Sequence, residues 1–281
     1  NVASRMDTIQ SLVERRTFCI DQSVGKFRVD VIKIGSHFYS DKLPLLSVLG
    51  AGLYWPLHTI FGMSFANKAH EPWLYHILTV VFVGVTAAIG LWLLARCLFL
   101  AGLESSAVAR TVFLTGAGTM FLPYAVTFNN HVPAAMAITG TLYCFLRARS
   151  MEGRAPSCPT ERGPERWVAL AGLFAGLALN LDVVPGAVAL LGFAALAFLR
   201  KRRLDDIRSY GRGLIGPILV FFFLNWLVTG GIKPAYMCAE YYNYPGSILR
   251  SYDALKRPYE NLFPVPIIKR ILGDDEIMVY Y

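Results

Sequence analysis

Charged residues are scarce in this sequence, and the common motifs of soluble enzymes are missing. Asp, Glu, Lys and Arg make up 16% of the 281 residues, whereas hydrophobic residues make up 55%. This balance lies outside the usual range for a soluble domain of this length and predicts an integral membrane protein. The sequence has no glycine-rich phosphate loop, no HExxH and no GxSxG, so nucleotide binding, zinc proteolysis and serine hydrolysis have no support.

Cysteine is also sparse, with five in the chain and neither CxxC nor another metal-ligand spacing. Spacing alone therefore predicts no metal site. Cys97 and Cys144 fall inside apolar runs, where a thiol packs as a small apolar group. Cys19 and Cys238 are expected outside the membrane, where a disulfide and two separate thiols are both open and separate thiols are favoured.

Long apolar runs dominate the middle of the chain. A membrane-crossing helix needs roughly 20 such residues, and these runs lack the alternation of barrel strands. The sequence therefore predicts an all-α integral membrane protein, with a six-helix transmembrane bundle over residues 64–229. The runs cover residues 73–100, 111–126, 132–146, 167–181, 183–199 and 214–228.

Positive charge indicates how these helices are oriented. Of the net charge of +8, most comes from two short loops, with five arginines in 147–166 and six Lys or Arg in 200–212. The clustering of Lys and Arg beside apolar runs indicates membrane topology rather than a nucleic-acid-binding surface. Both loops are expected to be cytoplasmic, in a multi-pass protein of the cytoplasmic (inner) membrane. Residues 1–63 then form an extracytoplasmic loop with two juxtamembrane helices, and residues 230–281 an extracytoplasmic tail.

The first of these helices is expected over Ser4–Arg16. SRMD has the pattern of a capping box, with Ser4 as the cap. Apolar residues such as Met6 and Ile9 form one stripe, and Arg5 falls on the opposite, polar face. Such a helix can lie on a membrane, and the loop after it is expected to contain a small hairpin.

The second helix is expected over Leu43–Met63. The run is long enough to cross a membrane, but Pro56 and several glycines make a straight span unfavourable. If it did cross, the first helix would lie on the side of the basic loops. The run is therefore interpreted as a juxtamembrane helix that lies along the outer surface or dips into it.

A polar cluster directly precedes this second helix. Two carboxylates and two ammonium groups near a membrane interface favour a site for an anion together with a base. The alternative is an ordinary loop, in which one aspartate caps the helix and a lysine reaches lipid headgroups, and spacing alone favours it. The cluster consists of Asp30, Lys33, His37, Tyr39, Asp41 and Lys42.

Further candidates lie at the outer ends of the predicted spans. His131 follows the turn TFNN and could bind a phosphate or a metal or simply contact a carbonyl, the last being commoner. Asp182 is either a helix cap, which is favoured, or a second acid in the same cavity. Tyr241, Tyr242 and Tyr244 could stack on sugars or belong to the aromatic belt of the interface.

Three segments together resemble a known family. The segments are, in chain order, SRMDTIQSLVERRTFCID, DVIKIGSHFYSDKLPLLSVLGAGLYW and TFNNHVPAA. Together they resemble the amino-terminal half of bacterial polyprenyl-phosphate-dependent glycosyltransferases of the GT-C superfamily, close to protein O-mannosyltransferases and the lipid A aminoarabinose transferase. That family has a motif of Tyr, two variable positions, Lys, Pro, Pro and Leu. FYSDKLPLL keeps Tyr39, Lys42, Pro44 and Leu45, and has Leu43 in place of the first proline.

The resemblance implies a function and site residues. Lys42, with Arg5 and Tyr39, would contact a lipid phosphate, and sugar would move from a polyprenyl-phosphate donor to a hydroxyl of a glycan, lipid or protein acceptor on the extracytoplasmic face. No cofactor is implied, and a divalent cation is left open. The family's catalytic acid lies in an Asp-Glu pair just before the arginine that matches Arg5, but this chain has Val-Ala-Ser there. The base would then be Asp41 or Asp30, or lie upstream of a chain that is a fragment.

Two other functions remain open on the sequence. A lipid or solute carrier or flippase would place ionisable residues near the bilayer midplane on facing helices, with broken spans in related halves. Neither pattern is clear in this chain. A catalytically silent membrane scaffold of the same fold is kept open by the missing Asp-Glu pair.

Overall fold

The computed structural model describes residues 2–23, 30–151, 163–199, 203–245 and 247, and most of the chain is helical. This confirms the predicted helical class. A hairpin of β1 (Val31–Ile34) and β2 (His37–Ser40) is the only sheet in these described ranges. The helices are α1 (Val2–Glu14), α2 (Leu45–Thr59), α3 (Glu71–Thr79), α4 (Val85–Leu100), α5 (Ser105–Ala117), α6 (Phe121–Ala125), α7 (His131–Ser150), α8 (Pro164–Leu181), α9 (Val183–Leu199) and α10 (Arg203–Thr229).

Two helical rods are long and apolar enough to cross a membrane, namely Glu71–Leu100 and Leu204–Thr229. The first joins α3 and α4 through one π-helical turn at Val80–Gly84. Only 22% and 17% of their most apolar windows are buried within the protein, whereas a core helix of a soluble protein would be mostly buried. Of the other four predicted spans, 132–146, 167–181 and 183–199 are helical but shorter or more polar, whereas 111–126 is interrupted at residues 118–120, between α5 and α6. The six-span arrangement stays a prediction.

Glycines bring α8 and α10 into close contact. Gly172 lies so close to α10 that a Cβ atom there would be 2.1 Å from the carbonyl oxygen of Tyr210. Gly213 of α10 lies equally close to α8, since a Cβ atom there would be 1.8 Å from the carbonyl oxygen of Ala169. Gly172 and Gly176 form a GxxxG motif, which allows helix backbones to approach in membrane proteins.

The N-terminal region packs against the start of the helical rod at Glu71–Leu100. Met6 and Ile9 of α1, Leu46 of α2 and Leu74 and Leu78 of α3 belong to one buried cluster. With 15 residues, α2 is shorter than a membrane crossing requires. This length agrees with the prediction that α2 does not span, although its place at a membrane surface stays a prediction.

The predicted start of α1 was wrong in one respect. The helix begins at Val2, and Ser4 lies inside it with its hydroxyl accepting a hydrogen bond from Ser40 at 3.0 Å. Ser4 therefore does not act as a cap. Arg5 belongs to the buried face of α1 together with Met6 and Ile9, because the polar partners of its side chain come from other elements.

The predicted hairpin is confirmed, and the segment after α10 packs on it. Gly35 has a φ of +62°, which suits the first position of a two-residue hairpin turn. Ile32 lies in a cluster with Ala235 and Tyr242. Tyr242 and Tyr244 are buried there, and the Tyr244 hydroxyl donates to the carbonyl oxygen of Val31 at 2.8 Å.

We expect Gly172→Ala and Gly213→Ala each to destabilise the protein by about 1–3 kcal/mol, because the added methyl group collides with a rigid backbone carbonyl. Thermal unfolding in detergent checks this. Gly192→Ala in α9 is the matched control, since a Cβ atom there meets nothing within 4 Å. Equal melting temperatures for all three variants would contradict close packing of α8 on α10.

Asp7 of α1 should make stability depend on pH. Burial raises the pKa of its carboxyl from 3.8 to about 6, against the opposing charge of Arg15. The folded protein therefore binds this proton more tightly than the unfolded chain does, and stability falls as pH rises from 3.8 to about 6. We expect Asp7→Asn to raise the melting temperature at pH 7 and to match the wild type below pH 3.8. Glu104→Gln, which changes an exposed carboxylate, is the control and should leave the curve unchanged.

Candidate functional site

The hairpin brings two aspartates together that are distant in sequence. Val31 pairs with Ser40 in the antiparallel register, so the next residues outward are Asp30 and Asp41. The backbone N–H of Asp41 donates to the carbonyl oxygen of Asp30 at 3.2 Å. Lys42 follows immediately, which places an ammonium group beside both carboxylates at the entry to α2.

Lys42 bridges the two aspartates. Its Nζ lies 2.9 Å from Oδ1 of Asp30 and 3.1 Å from Oδ1 of Asp41. The Tyr242 hydroxyl donates to Oδ2 of Asp41 at 3.1 Å. Asp41 is only 6% exposed, so these contacts replace part of its hydration, and within the described residues its Oδ1 accepts no hydrogen bond.

The two carboxylates of this bridge have different acidities. Burial raises the pKa of the Asp41 carboxyl, and nearby Asp30 adds to the shift while Lys42 opposes it. Burial also opposes the charge of Asp30, whereas Lys42 stabilises that charge and acts to lower the pKa of this carboxyl. Asp41 is therefore the better proton acceptor of the pair, and Asp30 the more persistent counter-ion.

Arg5 is buried beside this bridge, with 1% of its surface exposed. Its Nη2 donates to Oδ1 of Asn130 at 2.7 Å, and its Nη1 lies 3.5 Å from the carbonyl oxygen of Leu43. Asn130 in turn donates to the carbonyl oxygen of Leu181 at 2.9 Å. The guanidinium thus connects α1, the entry to α2, the start of α7 and the end of α8.

The charge of Arg5 is balanced by carboxylates. Burial lowers its pKa to about 10, while Asp41, Asp30 and Asp182 act in the opposite direction. Arg5 is therefore still a cation at neutral pH. Within the described residues its Nε makes no hydrogen bond. Its side chain faces the interior, so contact with a lipid phosphate, the predicted role, is not made in this conformation and stays a prediction.

His131 and Asp182 form a second, more exposed pair. His131 Nδ1 lies 2.8 Å from Oδ2 of Asp182, which joins the start of α7 to the end of α8. The side chain of Asp182 thus pairs with a histidine, although a helix cap was the favoured interpretation. Asn130 is the N-cap residue of α7, and Oδ1 of Asn129 just before it accepts the N–H of Val132 at 3.1 Å.

The space at Lys42 is small. Tyr39, Lys42, Ser47 and Val228 are among the residues around a cavity of about 10 Å³, which is room for about one water molecule. This cavity is therefore too small for a phosphate group, although the Lys42 side chain is partly exposed. A second cavity, of about 350 Å³, is lined by Val2, Tyr75, His76, Thr79, Val126, Thr127 and Phe128.

The structure separates the predicted cluster into two groups. Asp30, Asp41 and Lys42 meet, whereas Lys33 lies over the ring of Phe38, 5.7 Å from its centroid, and His37 bonds to Asp21. The capping role offered for Asp41 is not observed, because α2 begins after Pro44 without a side-chain cap. The contributions of Asn130 and Tyr242 were missed, since 125 and 201 residues separate each from its partner.

Comparison with known proteins adds no relative: no protein-family model, no curated protein and no solved structure matches the chain. The resemblance to polyprenyl-phosphate glycosyltransferases therefore depends on the sequence segments quoted above alone.

A double-mutant cycle on Arg5 and Asn130 tests whether their contact holds the site together. Asn130→Leu leaves the buried guanidinium without its shortest hydrogen bond, and we expect a loss of about 1–3 kcal/mol. Because Arg5→Met removes the partner, the two changes should be non-additive by about 0.5–3 kcal/mol. Chemical denaturation in detergent measures all four proteins. Additive losses would mean that the contact contributes nothing specific.

Proposed function

We propose that this protein is an integral membrane glycosyltransferase that moves a sugar from a polyprenyl-phosphate donor to an acceptor hydroxyl. The observation that carries the proposal is Lys42, held between Asp30 and Asp41 at the junction of the hairpin and the apolar helix α2. A cation for a phosphate leaving group and a carboxylate with a raised pKa are then adjacent, which is what transfer to a hydroxyl requires.

The exposed surface of the helices supports a multi-pass membrane location. Large apolar side chains on α5, α9 and α10 are largely exposed, including Phe113, Val188, Leu191, Leu199 and Leu219. Soluble monomers rarely expose apolar surface on this scale, and lipid would cover it. The GxxxG contact between α8 and α10 is also typical of helices that pack in a bilayer.

The position of the basic residues supports an extracytoplasmic site. α7 begins at His131, beside the site, and has Arg147 and Arg149 in its last turn. Val228, near the end of α10, lines the Lys42 cavity, whereas α10 begins next to the basic segment 200–203. The site and the positive charges thus lie at opposite helix ends. By the positive-inside rule the site faces out of the cytoplasm of an inner-membrane protein.

The chemistry is a direct displacement. The acceptor oxygen attacks the anomeric carbon, the bond from that carbon to the phosphate oxygen breaks, and the electron pair leaves with the polyprenyl phosphate. Lys42 offsets the charge that develops on this leaving group, and Asp41 takes the proton from the acceptor hydroxyl. Attack opposite the leaving group inverts the anomeric configuration. Asp30 holds Lys42 in place through their ion pair.

The donor phosphate would compete with the two carboxylates for Lys42. The cavity beside Lys42 is too small for a phosphate group, and a phosphate that pairs with the ammonium takes the place of Asp30 or Asp41. Displacing Asp41 removes a stabilising cation from an already weak acid, which raises its affinity for a proton further. Donor binding thus prepares the base, which couples the two halves of the reaction.

Lys42→Ala tests this function in the reconstituted protein. We expect transfer from polyprenyl-phosphate donors to fall by about 100-fold or more, because the leaving group loses its counter-charge. Donors carrying a hexose, a pentose or an amino sugar, each with glycan, lipid and peptide acceptors, provide the assay. Binding of unglycosylated polyprenyl phosphate in nanodiscs is measured in parallel.

Lys33→Ala is the matched control, because this lysine lies on the same hairpin but contacts only the face of Phe38 in the described structure. It should keep both transfer and binding. Lys42→Ala with unchanged transfer would remove Lys42 from the mechanism. A wild-type protein that neither binds polyprenyl phosphate nor transfers any of the sugars would overturn the proposed function.

A further inference from the structure

Three potential metal ligands meet on the outer edge of the hairpin, away from Lys42. Nδ1 of His37 lies 2.7 Å from Oδ2 of Asp21 and 3.7 Å from Sγ of Cys19. All three donor atoms lie within 4.8 Å of one another. The sequence offered no known motif here, since 18 residues separate Cys19 from His37.

The backbone explains why these side chains converge. The N–H of Ile20 donates to the carbonyl oxygen of Phe38 at 2.8 Å, and the Ile20 side chain is fully buried. Whereas Ile20 is buried, its neighbours Cys19 and Asp21 are partly exposed and exposed, respectively. His37 begins β2 beside Phe38, so the same backbone pairing delivers the third ligand.

The carboxylate of Asp21 is oriented independently of the other two ligands. Its Oδ1 accepts the N–H of Phe38 at 2.6 Å, which leaves Oδ2 directed at His37. Ligands held by hydrogen bonds of this kind need little rearrangement on binding a metal. Burial opposes the charge of Asp21, yet its pKa lies below the ordinary value because His37 and the Phe38 N–H favour the charged form.

We propose that Cys19, Asp21 and His37 bind a divalent transition metal of the zinc class, with water in the fourth position. Thiolate, imidazole and carboxylate are the ligands that zinc takes, and three protein ligands leave one position open. Tetrahedral zinc would set the sulfur–nitrogen separation at about 3.6 Å and the nitrogen–oxygen separation at about 3.4 Å. The first is already met, and the second needs a small movement of the exposed His37.

Metal binding changes protons as well as distances. The metal takes the lone pair of His37 Nδ1, so the neutral imidazole carries its proton on Nε2, and the thiol proton of Cys19 goes to solvent. It would tie the segment at Cys19 to the strand that carries Tyr39, which lines the Lys42 cavity. The metal site is thus separate from the proposed transfer reaction, and the proposal of a metal does not depend on that reaction.

Cobalt(II) binding to the full chain tests this site. The protein is purified in detergent, stripped of metal and titrated with Co²⁺, which reports a thiolate ligand through a charge-transfer band in the near ultraviolet. We expect a saturable band at one equivalent that Zn²⁺ abolishes by competition. Cys19→Ser should eliminate the band, and His37→Ala should weaken binding by about 10-fold or more, since even loss of an outer-shell partner costs that much.

Cys238→Ser is the matched control, because Cys238 is also a partly exposed free thiol. It should keep the band. Absence of a thiolate band in the wild type, or a band that persists in Cys19→Ser, would overturn the proposal. His37 is exposed, so His37→Ala should fold normally, and unchanged Co²⁺ affinity in that variant would equally count against the site.

Discussion

The buried guanidinium of Arg5 is the interaction on which the arrangement of this site depends. Taking a charged side chain out of water costs several kcal/mol unless other groups replace the lost hydration. Here the replacement comes from Asn130, the carbonyl of Leu43 and the field of three carboxylates. Each of these groups lies on a different part of the chain. The cation therefore keeps its low energy only when the N-terminal region, α7 and α8 are assembled together.

The same balance of charge determines how the Lys42 bridge responds to the binding of an anion. Arg5 and Lys42 supply two positive charges near Asp30, Asp41 and Asp182, which supply three negative ones when ionised. An added anion is unfavourable in this field unless a proton is taken up or a carboxylate moves away. Asp41 is the group for which proton uptake costs least, since burial already raises its pKa. An anion bound at Lys42 thus favours transfer of a proton to Asp41, and in the proposed reaction the acceptor hydroxyl supplies that proton.

Local patterns in the sequence predicted the elements better than the contacts between them. The helices and the hairpin follow from apolar periodicity and from Gly35 at the turn, which act over a few residues. Arg5 was assigned to the polar face of α1 because its charge was counted and its partners were unknown. Those partners lie 38 and 125 residues away. Only a contact formed by folding makes burial of that charge favourable, so no local pattern reveals it.

The register of the hairpin links the two clusters that the sequence placed in one loop. Asp30 faces Asp41 because Val31 pairs with Ser40, and a slip by one residue would separate the carboxylates that hold Lys42. The same slip would turn Ile32 out of its buried cluster and break the pairing of Ile20 with Phe38. Burial of Ile20 and Ile32 therefore maintains the geometry of two sites. One is Lys42 at the open end of the hairpin, and the other is the group of Cys19, Asp21 and His37 beside β2. A ligand that rigidifies either site should restrict the motion of the other, because one short ladder of hydrogen bonds supports both sites.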